Sequence, residues 1–164
     1  MKVMILTAAT GGGHIRAANA VEEYIRENTG WNVKNVDCLK AVGRLLDKTV
    51  CDSYLFMAKK TPMLFGRLYK RTNKRDMLSN LVPKLSGLFS NMLYPTIEAY
   101  SPDVIITTHP FATEMVAALK ADGLTSAPLI CIITDYGVHR AYIAKTVDSY
   151  VVASDDMVPE LMEF

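Results

Sequence analysis

Five short apolar runs, most of them rich in β-branched residues, punctuate the chain: KVMILTA from Lys2, WNVKNVDC from Trp31, DVIITT from Asp103, PLICIIT from Pro128 and SYVVAS from Ser149. Around Met4, Ile105 and Ile130 the runs are continuously apolar rather than alternating. That pattern predicts parallel strands covered on both faces. Helical periodicity fills the gaps between them. In HIRAANAVEEYIREN, Ile15, Ala18, Val21, Tyr24 and Ile25 fall on one face, with Arg and Glu opposite. HPFATEMVAALKADG carries Pro110 at the start of a second helix and Gly123 just past its end. Strand, helix and strand in this order predict right-handed crossovers and a doubly wound, mostly parallel Rossmann-like α/β sheet.

The stretch from about 39 to 100 breaks the alternation. It contains no convincing strand and reads as several helices, so we expect one domain over 1–164 with a long helical insertion. From Met77 onward Leu78, Leu81, Val82, Leu85, Leu88, Phe89, Met92 and Leu93 recur at helical spacing, and Pro83 predicts a kink or a fresh helix start. Leu81, Leu85, Leu88 and Met92 are read as core.

With 164 residues, half of them hydrophobic, the chain suits one compact domain. Its net charge is +1, which removes the polyelectrolyte argument for nucleic acid. Three widely spaced cysteines form neither a CxxC pair nor a disulfide framework, and no His/carboxylate cluster has metal-ligand spacing. The amino-terminal run is too short to span a bilayer and passes directly into glycines, so it is read as a buried strand. Locally the charge is far from balanced. Between Lys59 and Ser90 there are eight basic residues and one acid, a local balance of 8 − 1 = +7. Phe65, Leu68 and Tyr69 sit among those charges. Phe65, Arg67, Lys70, Arg71, Lys74 and Arg75 therefore form a candidate surface for anionic lipid. No RNA-module signature accompanies them.

Candidate chemistry gathers at strand ends. TGGGH, TTHP and TDYGVH each follow an apolar run, which puts all three at the carboxyl edge of the predicted sheet, where such sheets bind ligands. Gly11, Gly12 and Gly13 offer backbone N–H groups to an anion at a helix amino terminus. No GxxxxGK[ST] is present, and Arg16 occupies the third glycine position of GxGxxG. His14 is then open to two readings. The helix dipole opposes charging its ring, which suits a general base; equally, it caps a tight turn. His109, before Pro110, points into the cleft or is a helix-entry residue.

Taken together, LTAATGGGHIRAANA, TTHPF and ITDYGVHRAYIAKTVDSYVVASDDM resemble the amino-terminal domain of monogalactosyldiacylglycerol synthases and processive diacylglycerol glucosyltransferases. These are glycosyltransferases of the two-domain GT-B type, and the likeness covers essentially the whole chain. It implies hexose transfer from a nucleotide sugar, a UDP-hexose co-substrate rather than a cofactor, to diacylglycerol or a related lipid. It implies His14 as catalytic base, Gly11, Gly12 and Gly13 against the donor phosphates or sugar, and Asp135, His139, Tyr142 and His109 on the acceptor side. No metal is implied. Ala9 stands where some relatives carry an acid, and Tyr142 and Ala144 stand where relatives carry tryptophan and histidine; Tyr142 still offers an aromatic face. The resemblance further implies a carboxyl-terminal nucleotide-sugar domain beyond Phe164, little turnover by this half alone, and a cytoplasmic, peripheral place at the inner face of the membrane. The rival from another class is a non-catalytic membrane-surface or sugar-nucleotide-binding module; an epimerase or phosphate-handling enzyme on a similar sheet is a third.

Overall fold

A computed structural model describes residues 1–9, 12–43 and 81–164, the stretch 81–88 as helical backbone only. The elements run β1 (Lys2–Thr7), α1 (Gly12–Asn28), β2 (Asn32–Asp37), α2 (Cys38–Val42), α3 (Leu81–Tyr100), β3 (Val104–Thr107), α4 (Pro110–Ala121), β4 (Leu129–Ile132), a 3-10 turn (Arg140–Tyr142), β5 (Ser149–Val151) and α5 (Met157–Met162). All five apolar runs are strands. They form one sheet in the order β2-β1-β3-β4-β5, with every pairing parallel. Parallel strands with interspersed helices make this a Rossmann-like half-domain of the GT-B kind. Of the stretch 39–100, the described ends are helical, in α2 and α3, and residues 44–80 lie outside the described residues.

Burial along β1 explains why its run is unbroken. Met4 and Leu6 pack with Leu39, Leu93, Ile97 and Met115 from α2, α3 and α4, whereas Val3 and Ile5 pack with Ala18 and Ile25 of α1. Alternate residues thus serve opposite layers, and each such side chain contributes roughly 1.5–3 kcal/mol of burial. Tyr24 departs from the predicted stripe. It is 66% exposed, because one residue step turns it about 100° away from buried Ile25.

Helix α4 begins as its sequence indicates. Pro110 occupies its first turn, where no N–H is needed, and Gly123 past its end takes the left-handed φ of +71°. Pro83 lies in the first turn of α3, a position a proline tolerates, and the helix runs on through Pro95 to Tyr100. Leu93 and Ile97 are buried in α3, but Met92 is 51% exposed and not core. Side chains of Leu81, Leu85 and Leu88 lie outside the described residues.

Register makes the strand ends level. Leu6 of β1 stands beside Thr107 of β3, and Thr107 beside Cys131 of β4. The chain passes from β1 outward to β2 and later returns on the other side of β1 to β3. The carboxyl ends of β1 and β3 therefore flank the point where the sheet order reverses, the place where a crevice opens in doubly wound sheets.

Candidate active site

Helix α1 starts at Gly12, so His14 is in its first turn, directly over that crevice. The ring nitrogen Nδ1 lies 2.8 Å from the carbonyl oxygen of Thr108, the residue that follows β3. A carbonyl only accepts, so Nδ1 carries the proton and donates it. The neutral ring's lone pair is consequently on Nε2, the nitrogen able to take a proton from a substrate. Thr134, two residues beyond β4, brings its hydroxyl oxygen to 2.6 Å from the same Nδ1. Below the ring, the Thr108 hydroxyl donates to the His14 main-chain carbonyl at 3.0 Å and stands 2.9 Å from the Thr7 hydroxyl. Three strand ends thus hold one imidazole, and its neighbours are polar groups and a second ring rather than aliphatic core.

That second ring is His109, whose centroid is 4.5 Å from that of His14 at an interplanar angle of 72°. His109 caps α4, its Nδ1 accepting the Phe111 N–H at 3.0 Å, which assigns its proton to Nε2. Removal from solvent, with the neighbouring His14 second, pushes its pKa down to about 3. It is a helix-entry residue and a wall of the crevice at once.

His139 makes the same cap one loop further on, its Nδ1 accepting the Ala141 N–H at 3.1 Å, and it is buried. Tyr142 is wholly enclosed with Cys131, Ile133, Val138 and Met157. Its aromatic face is therefore turned to the core instead of to an acceptor, and what reaches the site is its hydroxyl. That hydroxyl donates to Asp135 Oδ2 at 3.1 Å and lies 3.4 Å from Thr134 Oγ1. Burial drives the Tyr142 phenol far above its ordinary range, so it stays protonated. Asp135 is half-buried at the start of a loop whose Tyr136 is fully exposed. Glu160 of α5 holds that loop by accepting the Val138 N–H at 2.9 Å.

Gly12 and Gly13 are exposed, and neither has a positive φ. A Cβ built on either meets no atom of the described residues within 4 Å. The described fold therefore does not require glycine at these positions, and a glycine costs a helix about 0.5–1 kcal/mol relative to alanine. Gly11 lies outside the described residues, as do Phe65, Arg67, Lys70, Arg71, Lys74 and Arg75. Among the described residues no group of three His, Cys, Asp or Glu could hold a metal ion. No described helix is long and apolar enough to cross a membrane.

Sequence reasoning from the motifs singled out the histidines but missed Thr108 and Thr134. The signal was a threonine immediately after each apolar run, in TTHP and ITD, where a hydroxyl ends a strand at the ligand edge.

The class is that of glycosyltransferases with a Rossmann-like half-domain, and it is the sequence that shows it. The sequence profile of the monogalactosyldiacylglycerol (MGDG) synthase family matches residues 14–163, and the chain belongs to that glycosyltransferase family. Processive diacylglycerol beta-glucosyltransferases are similar to it. That of Bacillus thuringiensis (strain Al Hakam) is 29% identical over 162 residues, covering 94% of this chain and 39% of the relative. That of Bacillus cereus (strain B4264) is 29% identical over 175 residues, covering 98% and 40%. The chain thus spans about two fifths of the length of these curated relatives. No solved structure matches it.

Proposed function

We propose that this domain is the acceptor-side half of a hexosyltransferase that moves a sugar from a UDP-hexose to the free hydroxyl of diacylglycerol or a related lipid. The observation that carries the reading is the pinned tautomer of His14. Its proton is committed to the Thr108 carbonyl, which leaves Nε2 as a base beside an open, side-chain-free helix start. In the reaction the lipid oxygen forms a bond to the anomeric carbon while the bond from that carbon to the donor phosphate breaks. The hydroxyl proton passes to Nε2, and the UDP leaves with the bonding electron pair. One displacement inverts the anomeric centre. Backbone N–H groups of Gly12 and Gly13, at the positive end of α1, suit the negative charge that grows on the departing diphosphate.

Asp135, beside the exposed Tyr136, faces the acceptor's approach, while His109 and His139 frame the site through their caps. Most of the UDP-sugar contact belongs to a carboxyl-terminal domain, so this half alone turns over little or nothing. The segment holding Phe65, Arg67, Lys70, Arg71, Lys74 and Arg75 rests on anionic lipid and places the enzyme peripherally at the cytoplasmic face, where its acceptor is dissolved. The test is a product assay. The full-length polypeptide carrying this domain is incubated with UDP-glucose or UDP-galactose and anionic vesicles containing diacylglycerol. A hexosyl-diacylglycerol product is expected; hydrolysis of the donor alone, or no reaction with either, overturns the reading.

A further inference from the structure

A run of hydrogen bonds links Asp135 to His14 through the hydroxyls of Tyr142 and Thr134. A carboxylate only accepts, and Tyr142 keeps its proton, so the phenol donates to Asp135 Oδ2. Its single proton spent, the phenol oxygen can only accept from Thr134 Oγ1, 3.4 Å away. Thr134 has one proton for two acceptors, the Tyr142 oxygen and the Thr108 carbonyl, both 3.4 Å from its Oγ1. Its lone pairs face His14, whose Nδ1–H has the Thr108 carbonyl oxygen at 2.8 Å and Thr134 Oγ1 at 2.6 Å. With the Thr134 proton directed at the Tyr142 oxygen, and the Nδ1–H forked between the Thr108 carbonyl and Thr134 Oγ1, the donors run from imidazole to Thr134, Thr134 to Tyr142, and Tyr142 to the Asp135 carboxylate. Aligned hydroxyls of this sort polarise one another.

We propose that Asp135 acts on His14 through the Tyr142 and Thr134 hydroxyls, a hydroxyl-bridged counter-charge that holds the ring and stabilises it when Nε2 takes a proton. No proton moves along the bridge; its dipoles present their negative ends to Nδ1. Thr134, Tyr142 and Asp135 are then positioning residues, and their alignment stands in for an acid in direct contact with the imidazole. Ala9, just ahead of the glycine turn, offers no such acid. The inference rests on His14 as the base, but its physical content, the coupling of the carboxylate to Nδ1, is separable from catalysis.

Ring nitrogen–proton correlation spectra of the chain test that coupling. Of its three histidines, His14 should carry its proton on Nδ1, whereas His109 and His139 carry theirs on Nε2. Tyr142→Phe, which leaves the carboxylate in place, should shift the His14 Nδ1–H resonance upfield as far as Asp135→Asn does. The double variant should move it no further than either alone, the non-additivity expected of one connected network. Thr134→Val should shift it too, and Thr134→Ser should restore it. A shift in Asp135→Asn without one in Tyr142→Phe would mean a through-space field and overturn the bridge, as would no shift in either. In the full-length polypeptide, Tyr142→Phe should lower kcat about tenfold with KM unchanged, the worth of one charge-assisted hydrogen bond. Unchanged kcat alongside inactive His14→Ala defeats the bridge alone. Full activity in His14→Ala defeats the base assignment while the spectra still decide the bridge.

Discussion

The imidazole of His109 meets that of His14 at an interplanar angle of 72°, with 4.5 Å between ring centres. Two histidines this close cannot comfortably both be charged. The fold caps α4 with one of them, and removal from solvent keeps that one, His109, neutral.

A pH dependence follows from that division. With its pKa pushed down to about 3, His109 stays neutral in the fold where an unfolded chain would protonate it near 6.5. The unfolded state then binds one more proton, so this group costs stability as pH falls from 6.5 toward 3. Glu114, also on α4, is the reverse case: burial pushes its carboxyl up to about 7 against 4.5 unfolded. The folded state holds the extra proton there, and stability falls as pH rises from 4.5 toward 7. Between 4.5 and 6.5 the two slopes cancel. His109→Asn, which retains a capping side chain, should expose a stability that declines with rising pH across this window, by about 1.4 kcal/mol per unit. Glu114→Gln should expose the opposite slope of about the same size. Urea unfolding of both variants at pH 4.5, 5.5 and 6.5 measures this. Parallel, flat curves in all three proteins would refute the assignment.

Gly12 and Gly13 yield a prediction in which stability and function part company. No described atom stands where their Cβ atoms would be, and both are already helical. Gly12→Ala and Gly13→Ala should each leave the fold intact and raise its stability by about 0.5–1 kcal/mol in denaturant unfolding. Sugar transfer should fall sharply, because the methyl group intrudes on the ligand and not on the protein. Loss of stability instead would mean that the glycines serve the fold.

The basic stretch is tested at the membrane. Replacing Lys70, Arg71, Lys74 and Arg75 together with glutamine removes four charges, each worth about 1 kcal/mol near an anionic surface. Binding to anionic vesicles, followed by sedimentation, should weaken between about tenfold and a thousandfold, and the remaining binding should respond less to added salt. Equal sedimentation of both proteins would remove these residues from the interface.

Much of this architecture is legible in the sequence because parallel strands covered on both faces must be continuously apolar. The runs at Met4, Ile105 and Ile130 are, and each became a strand of the predicted kind. Pro110 and Gly123 mark their helix ends for equally local reasons. The site is only half legible. That TGGGH, TTHP and TDYGVH share an edge follows from strand polarity alone. The grip on His14 does not, since Thr108 and Thr134 reach it from 94 and 120 positions away through the register of three strands. That the aromatic face of Tyr142 turns to the core is not legible, because nothing in DYGVHRAY reveals that Met157 and Leu161 of α5 pack around it. Tyr24 and Met92 lie at the margins of their helical stripes, where periodicity does not decide between core and solvent.

The central claim is that Nε2 of His14 removes the acceptor's proton, and His14→Ala tests it most directly. The full-length variant should bind anionic vesicles as the wild type does and unfold at a similar denaturant concentration. Its rate of hexose transfer to diacylglycerol should drop by about 10²–10⁴, the usual worth of a positioned general base. Transfer at the wild-type rate would contradict the account.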